Sequence, residues 1–218
     1  MIYVLVRHCT YSKASAGKNR PANFRRVDLF QKLLDSLKEA LQAKLIVLLD
    51  ANEKHFVEDF PVEIHKKVCG SEAKSFLEAL DFVEKSKWKD DDIVVFLEDD
   101  YAVSPNWIGL IEEGLGFADY VTLYDHPDKY SEMYSKLVST IYLGKRRHWR
   151  TTPSTTNSYA ARVKTLRQDM QLHRDYSRGF ITNDHQKFMA LWGKGKSLVS
   201  CIPSAWSHEE TGMQAHLL

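Results

Sequence analysis

Asp91-Asp92-Ile93-Val94-Val95-Phe96-Leu97-Glu98-Asp99-Asp100-Tyr101 is the stretch from which the rest of this chain can be read. Five consecutive apolar residues, three of them β-branched, make a strand buried on both faces, and the run stops at three carboxylates. In open α/β sheets ligands bind at the carboxyl edge of the strands, and carboxylates clustered there repel one another unless a cation sits among them. The stretch describes either a divalent-metal site at the lip of a parallel or mixed sheet, or an acidic, solvated turn.

Upstream, Ser71 is placed to cap a helix carrying Ala73, Phe76, Leu77, Leu80, Phe82 and Val83, which delivers the chain to the acidic strand. Residues 2–6 form a first strand that ends in Arg7-His8, and residues 44–50 form a second that ends in Asp50. Between them Phe24, Val27, Phe30, Leu33, Leu34, Leu37 and Leu41 recur at helical spacing, predicting a long amphipathic helix from Asn23, with Pro21 where a first turn tolerates it. Strand, helix, strand is a βαβ unit and implies a parallel pair. A short helix near Phe56 and a third strand around residues 62–64 complete this half.

Downstream, Ser104-Pro105 opens a helix through Trp107, Leu110, Ile111 and Leu115, and residues 118–124 read as a strand. A hairpin turns at Gly144-Lys145-Arg146, residues 158–161 add a strand, and helices follow over 163–172 and 183–192, the latter with an apolar face of Phe188, Leu191 and Trp192. Gly193 and Gly195 end that helix. Residues 197–202 make a last strand, and residues 203–210 a polar loop holding Trp206 and His208. No repeat, low-complexity tract or linker interrupts the pattern, so residues 1–218 are read as one α/β domain.

The chain of 218 residues is 44% hydrophobic and 27% charged, with a formal net charge of +1. That balance gives no global attraction to nucleic acid. Cys9, Cys69 and Cys201 have no CxxC spacing, which argues against a disulfide framework or a cysteine zinc site and for a reducing compartment. The amino-terminal apolar run is too brief for a signal peptide or a membrane span. The expectation is a soluble cytoplasmic protein without a transmembrane segment.

Phe96-Leu97-Glu98-Asp99-Asp100 followed by Pro105-Asn106-Trp107, Asp50 ending the second strand, Asn183-Asp184 opening a late helix and the terminal Ser207-His208-Glu209 together resemble the GT-A class of nucleotide-sugar glycosyltransferases, with a DxD-type motif at the acidic strand end. Among its members the chain is similar to the small enzymes that large DNA viruses encode to glycosylate capsid proteins. The resemblance implies a three-layer sandwich around a mixed, mainly parallel sheet. Its nucleotide-binding half would be residues 1–104 and its acceptor-binding half residues 105–218. It implies a UDP-sugar donor, Mn²⁺ or Mg²⁺ as cofactor, and a carbohydrate or glycoprotein acceptor. By the same resemblance Arg7 and His8 would lie beside the diphosphate, Asp50 would accept from the uracil N3–H, and Asp99 would hold the ribose hydroxyls. Asp100 and His208 would bind the metal. Asp184 would be the general base of an inverting enzyme, or would orient acceptor or donor in a retaining one.

Each residue also has a plainer reading. A strand-end Asp such as Asp50 caps turns, Asp184 suits a first helical turn, His208 is one of nine histidines, and Lys145-Arg146-Arg147-His148 suits a solvated hairpin tip. Three rival functions fit parts of the pattern. Leu5-Val6-Arg7-His8 opens like the histidine phosphatases, but Cys9 stands where that signature has Gly. Sugar nucleotidyltransferases share the architecture but use a Gly-rich loop after the first strand, where residues 9–20 contain only Gly17. A non-catalytic nucleotide-sugar-binding module, part of a longer chain ending abruptly at Leu217-Leu218, would use the same crevice without turnover.

Overall fold

The computed structural model describes residues 1–217. β1 (Ile2–Cys9), β2 (Ala43–Asp50), β3 (Glu63–Lys66) and β4 (Ile93–Glu98) form a parallel block in the order β3-β2-β1-β4. β1 connects to β2 through α1 (Arg26–Leu37), and β3 to β4 through α2 (Glu72–Lys85). The chain thus steps from β1 to one side and returns to pair with its other side, making a topological switch point between β1 and β4, with their carboxyl ends open.

β9 (Tyr159–Arg162) runs antiparallel between β4 and β6 (Tyr120–Thr122), and β10 (Leu198–Ile202) runs parallel to β6. β8 (His148–Thr151) and β7 (Ile141–Leu143) finish the edge as the expected hairpin. Only β8 and β9 run against the other strands of this nine-stranded sheet, so it is mixed and mainly parallel.

The apolar run of β4 is buried on both faces as its composition demands. Ile93, Val95 and Leu97 enter one core with Phe30 and Leu33 of α1 and with α3 (Ile108–Gly114). Val94 and Phe96 enter the other with α2, α4 (Val163–Asp175) and α5 (Asp184–Gly193). Burial of each such side chain is worth about 1.5–3 kcal/mol. The result is the expected three-layer α/β sandwich.

Two local expectations are corrected. α1 begins at Arg26 and ends at Leu37, and Leu41 is 91% exposed. Residues 21–25 are drawn away from helical geometry into a turn in which the Phe24 amide donates to the Pro21 carbonyl. Residues 203–210 are not all loop: β11 (Trp206–His208) pairs antiparallel with β5 (Tyr101–Val103). Fully buried Trp206 packs edge-on against Trp107 with ring centroids 5.4 Å apart, and that apolar anchor holds the ribbon down. Its register sets His208 opposite Tyr101, one residue past Asp100.

Candidate functional site

The carboxyl ends of β1, β2 and β4 open into a cavity of about 570 Å³. Its walls include Arg7, His8, Asp50, Asp99, Asp100, Asp184 and His208, so all seven residues singled out from the sequence meet in one place.

At its acidic end Asp100 is buried and its Oδ2 lies 3.1 Å from Nε2 of His208. The His208 ring stacks on Tyr101 at 5.0 Å between centroids and 10° between planes, so the β5–β11 ribbon fixes its orientation. Burial alone pushes the Asp100 carboxyl up, but the hydrogen bond and charge of His208 with the cations Lys18 and Arg20 outweigh it and hold the group well below the usual carboxylate range. Arg20 donates to the same Oδ2 from 2.8 Å, and Lys18 Nζ stands 3.4 Å from it.

Asp99 faces the other way. Its Oδ2 is 3.0 Å from Arg26 Nε and 3.6 Å from His8 Nδ1, yet receives no well-aligned hydrogen bond from either. Burial and neighbouring Asp100 push its carboxyl up to about 6 against the pull of Arg26. An oxygen that is ion-paired but short of a well-aligned hydrogen bond retains capacity to accept from a ligand hydroxyl.

Three of the sequence-derived residues are already engaged by protein partners, Asp50 as the strand-end cap of its plainer reading. Asp50 accepts from the backbone amides of Cys69 (2.8 Å) and Gly70 (3.3 Å), tying the end of β2 to the segment after β3. Arg7 is clamped between Glu72 and Glu98, each 3.1 Å away, so its charge is already spent on carboxylates. Burial, with His55 and Arg26 nearby, pushes His8 down to about 3, so the imidazole is neutral and packs edge-on against Phe30 and Phe56. Neither Arg7 nor His8 presents the free positive charge expected for a diphosphate, and buried His8 is not displayed as a phosphatase nucleophile would be.

At the far end Asn183 caps α5, its side chain accepting from the Gln186 amide, and the neighbouring Asp184 lines the cavity with its Oδ1 accepting from the His185 amide at 2.7 Å. Burial pushes Asp184 up from the ordinary carboxylate value, against the pull of Lys187. Lys187 is fully buried; it donates to Asn157 Oδ1 and lies 4.5 Å from the centre of the Phe76 ring. Asn157 in turn donates to Glu72 Oε1 (3.2 Å), whose Oε2 accepts from the Thr182 amide (2.8 Å). Glu72 thus joins Arg7, Asn157 and Thr182 in one network along the cavity wall. Glu72→Ala is expected to lower the unfolding free energy by about 3 kcal/mol in urea denaturation, because it strands buried donors and half the compensation of Arg7.

The sequence did not single out Lys18, Arg20 and Arg26 on the polar β1–α1 segment, nor Glu72 and Asn157 of the cavity wall with Lys187 bonded to Asn157. The available signal for the first group was the crowding of cations between Lys13 and Arg26, directly after the first strand.

Among the described residues, no three His, Cys, Asp or Glu side chains converge to hold a metal ion by themselves. Asp100 and His208 offer two donors 3.1 Å apart, close enough to share one ion with ligand bonds of about 2.1 Å. The hydrogen bonding of His208 supports that use. Its Nε2 faces both the Asp100 carboxylate and, at 3.0 Å, the Lys18 ammonium. One tautomer serves the first and the other serves the second, so the pair is never satisfied together, whereas a bare Nε2 on a metal ion has no such conflict.

No protein-family model and no curated protein matches the sequence. Solved structures do match. GalNAc-T7 with UDP, GalNAc and Mn²⁺ aligns at a TM-score of 0.61 and 10% identity, over 95% of this chain and 43% of that one. This is a GT-A-like fold. The galactosyltransferase LgtC, in complex with donor and acceptor sugar analogs, aligns at 0.52 and 11% identity over 92% of this chain and 73% of that one. The architecture is shared with the Francisella tularensis 2-C-methyl-D-erythritol 4-phosphate cytidylyltransferase, at 0.54 and 14% identity over 92% and 90%. The chain spans less than half the length of GalNAc-T7. Among the described residues no helix is long and apolar enough to cross a membrane.

Proposed function

We propose that this chain is a metal-dependent glycosyltransferase that moves a sugar from a UDP-sugar to a carbohydrate or glycoprotein acceptor. The observation that carries this reading is the Asp100–His208 pair, 3.1 Å apart, in one cavity with the carboxylates of Asp99 and Asp184. Asp100 and His208 hold Mn²⁺ or Mg²⁺. Bound there, the ion supplies Lewis-acid neutralisation of the departing nucleoside diphosphate. Asp99 accepts from the ribose hydroxyls, and Asp50, with lone pairs left after its two backbone amides, accepts from uracil N3–H. Arg7 and His8 shape the floor, and Lys13 and Arg26 bring positive charge to the diphosphate side. Asp184 takes the acceptor proton. Residues 1–104 are assigned to the nucleotide, and residues 105–218 to completing the metal site and binding the acceptor. Three free cysteines support a reducing, cytoplasmic setting.

The test is calorimetry of UDP, GDP, ADP and CDP with and without Mn²⁺, followed by UDP-sugars. UDP is expected to bind in preference to the others, and only with the metal. Equal affinity for all four, or binding indifferent to Mn²⁺, would refute the assignment. UDP binding with no release of UDP from any UDP-sugar would leave a binding module in its place.

Nucleotidyl transfer is the second reading, favoured by the cations Lys13, Lys18 and Arg20 on the segment after β1, facing the cavity or its acidic end. Pyrophosphate release from UTP and a sugar 1-phosphate distinguishes it, since glycosyl transfer produces none.

A further inference from the structure

The Lys18 ammonium makes three polar contacts at the acidic end of the cavity. It lies 3.0 Å from His208 Nε2, 3.4 Å from Asp100 Oδ2 and 3.5 Å from Glu210 Oε2. These include both groups assigned above to the metal, so one lysine cation stands against the donors a divalent ion would use. Arg20 adds a second cation on Asp100, at 2.8 Å.

We propose that Lys18 is the resident cation of this site: it neutralises Asp100 in the nucleotide-free protein and withdraws when the divalent ion enters together with the nucleoside diphosphate. The proposal rests on the metal-dependent reading given above.

Charge is the first argument. Lys18 and Arg20 both stand on Asp100 Oδ2, so a divalent ion added alone meets two cations already on its carboxylate ligand, and like charges at such distances repel strongly. A diphosphate arriving with the ion restores the balance, and its oxygens accept the displaced ammonium.

The way the segment is held is the second argument. Residues 10–20 are docked on the site mainly by polar contacts: Lys18 and Arg20 on Asp100, the Arg20 guanidinium on the Glu209 carbonyl at 2.7 Å, and the Thr211 amide on the Asn19 carbonyl at 2.9 Å. Tyr11 is largely exposed, and no residue of 10–20 belongs to either hydrophobic core. A segment held by charge rather than by apolar burial exchanges one set of ionic partners for another at little cost. By linkage, the metal and the diphosphate then tighten each other's binding, and Lys18 carries part of that coupling.

Mn²⁺ titration of the full chain, followed by electron paramagnetic resonance of the free ion, with and without UDP, tests this. In the native protein Mn²⁺ alone is expected to bind weakly and at least tenfold more tightly with UDP present. Lys18→Met is expected to bind Mn²⁺ alone at least tenfold more tightly than the native protein, with a smaller gain from UDP, while Lys18→Arg keeps the native pattern. If Lys18→Met leaves the affinity for Mn²⁺ alone unchanged or weakened while UDP-dependent Mn²⁺ binding persists, the role of Lys18 is refuted and the metal site stands. If no form binds Mn²⁺ even with UDP, the metal site and this proposal fall together. Lys18 is a partly exposed residue on a surface segment, and far-UV circular dichroism verifies that the variants are folded.

Discussion

Asp100→Ala is expected to weaken manganese-dependent UDP binding by at least about a hundredfold, roughly 3 kcal/mol, to the point of abolishing it in calorimetry. The size follows from what this one carboxylate does. It is buried at the end of β4, and its Oδ2 collects His208, Lys18 and Arg20. Those partners outweigh burial and keep it ionised throughout the neutral range, so it is always available as a hard oxygen donor. Without it His208 is left as a single imidazole donor beside Lys18, which keeps only Glu210, and Arg20, which has lost its carboxylate, and a divalent ion has no reason to enter. Asp100→Asn separates charge from shape: the amide fills the same space but offers a weaker, neutral oxygen. It should lose nearly as much affinity while unfolding at close to the native temperature. UDP binding that remains Mn²⁺-dependent in Asp100→Ala would move the metal away from this strand end.

The parts of this architecture that were legible in the sequence are those in which local pattern and tertiary role coincide. β4 is apolar on both faces and acidic at its end, and it behaves accordingly, with alternate residues in two cores and Asp99 and Asp100 at the cavity. His208 was found through its neighbours in a motif, whereas the ribbon that aims it was not. β5 and β11 are three residues each, too short to show a period, and only the burial of Trp206 against Trp107 reveals that the terminal segment is structured. In α5 Phe188 and Leu191 are buried as the pattern predicts, but the pattern fails at two positions. Its sequence puts Trp192 on the apolar face and Lys187 among the polar residues, but Trp192 is 66% exposed and Lys187 is 0% exposed. The lysine is drawn inward by Asn157 and by the faces of Phe76 and Tyr159, partners from two other parts of the chain, and by its neighbour Phe188. Burial pushes its ammonium down to about 8. No window of the sequence contains that information. The same holds for Lys18, Arg20 and Arg26, whose segment has no periodicity and whose destinations are carboxylates 73 to 82 residues away.

Asp184→Asn is the variant that separates chemistry from binding. If Asp184 takes the proton of the acceptor hydroxyl, the asparagine variant loses about 10²- to 10⁴-fold in kcat/KM for transfer, the usual contribution of a general base. Its affinity for UDP with Mn²⁺ should stay within about twofold of native, because Asp100, His208 and Asp99 are untouched. The pH profile gives an independent readout. The working form is the carboxylate, so the rate falls as pH falls through its pKa. Burial has moved that pKa up, Lys187 only partly opposing it, so the acid limb lies above where an ordinary Asp would put it. The asparagine variant should lack that limb. Glu98 is the group to watch if the limb survives, since burial beside Asp100 and Glu72 pushes it up to about 7 even against Arg7. Asparagine and alanine variants together also distinguish the two roles open to Asp184. An orienting residue is largely replaced by asparagine, which keeps an acceptor oxygen in place, and is lost with alanine, whereas a base is lost with both. Native-like transfer by Asp184→Asn with a crippled Asp184→Ala would assign the residue to positioning, and native-like transfer by both would remove it from the reaction.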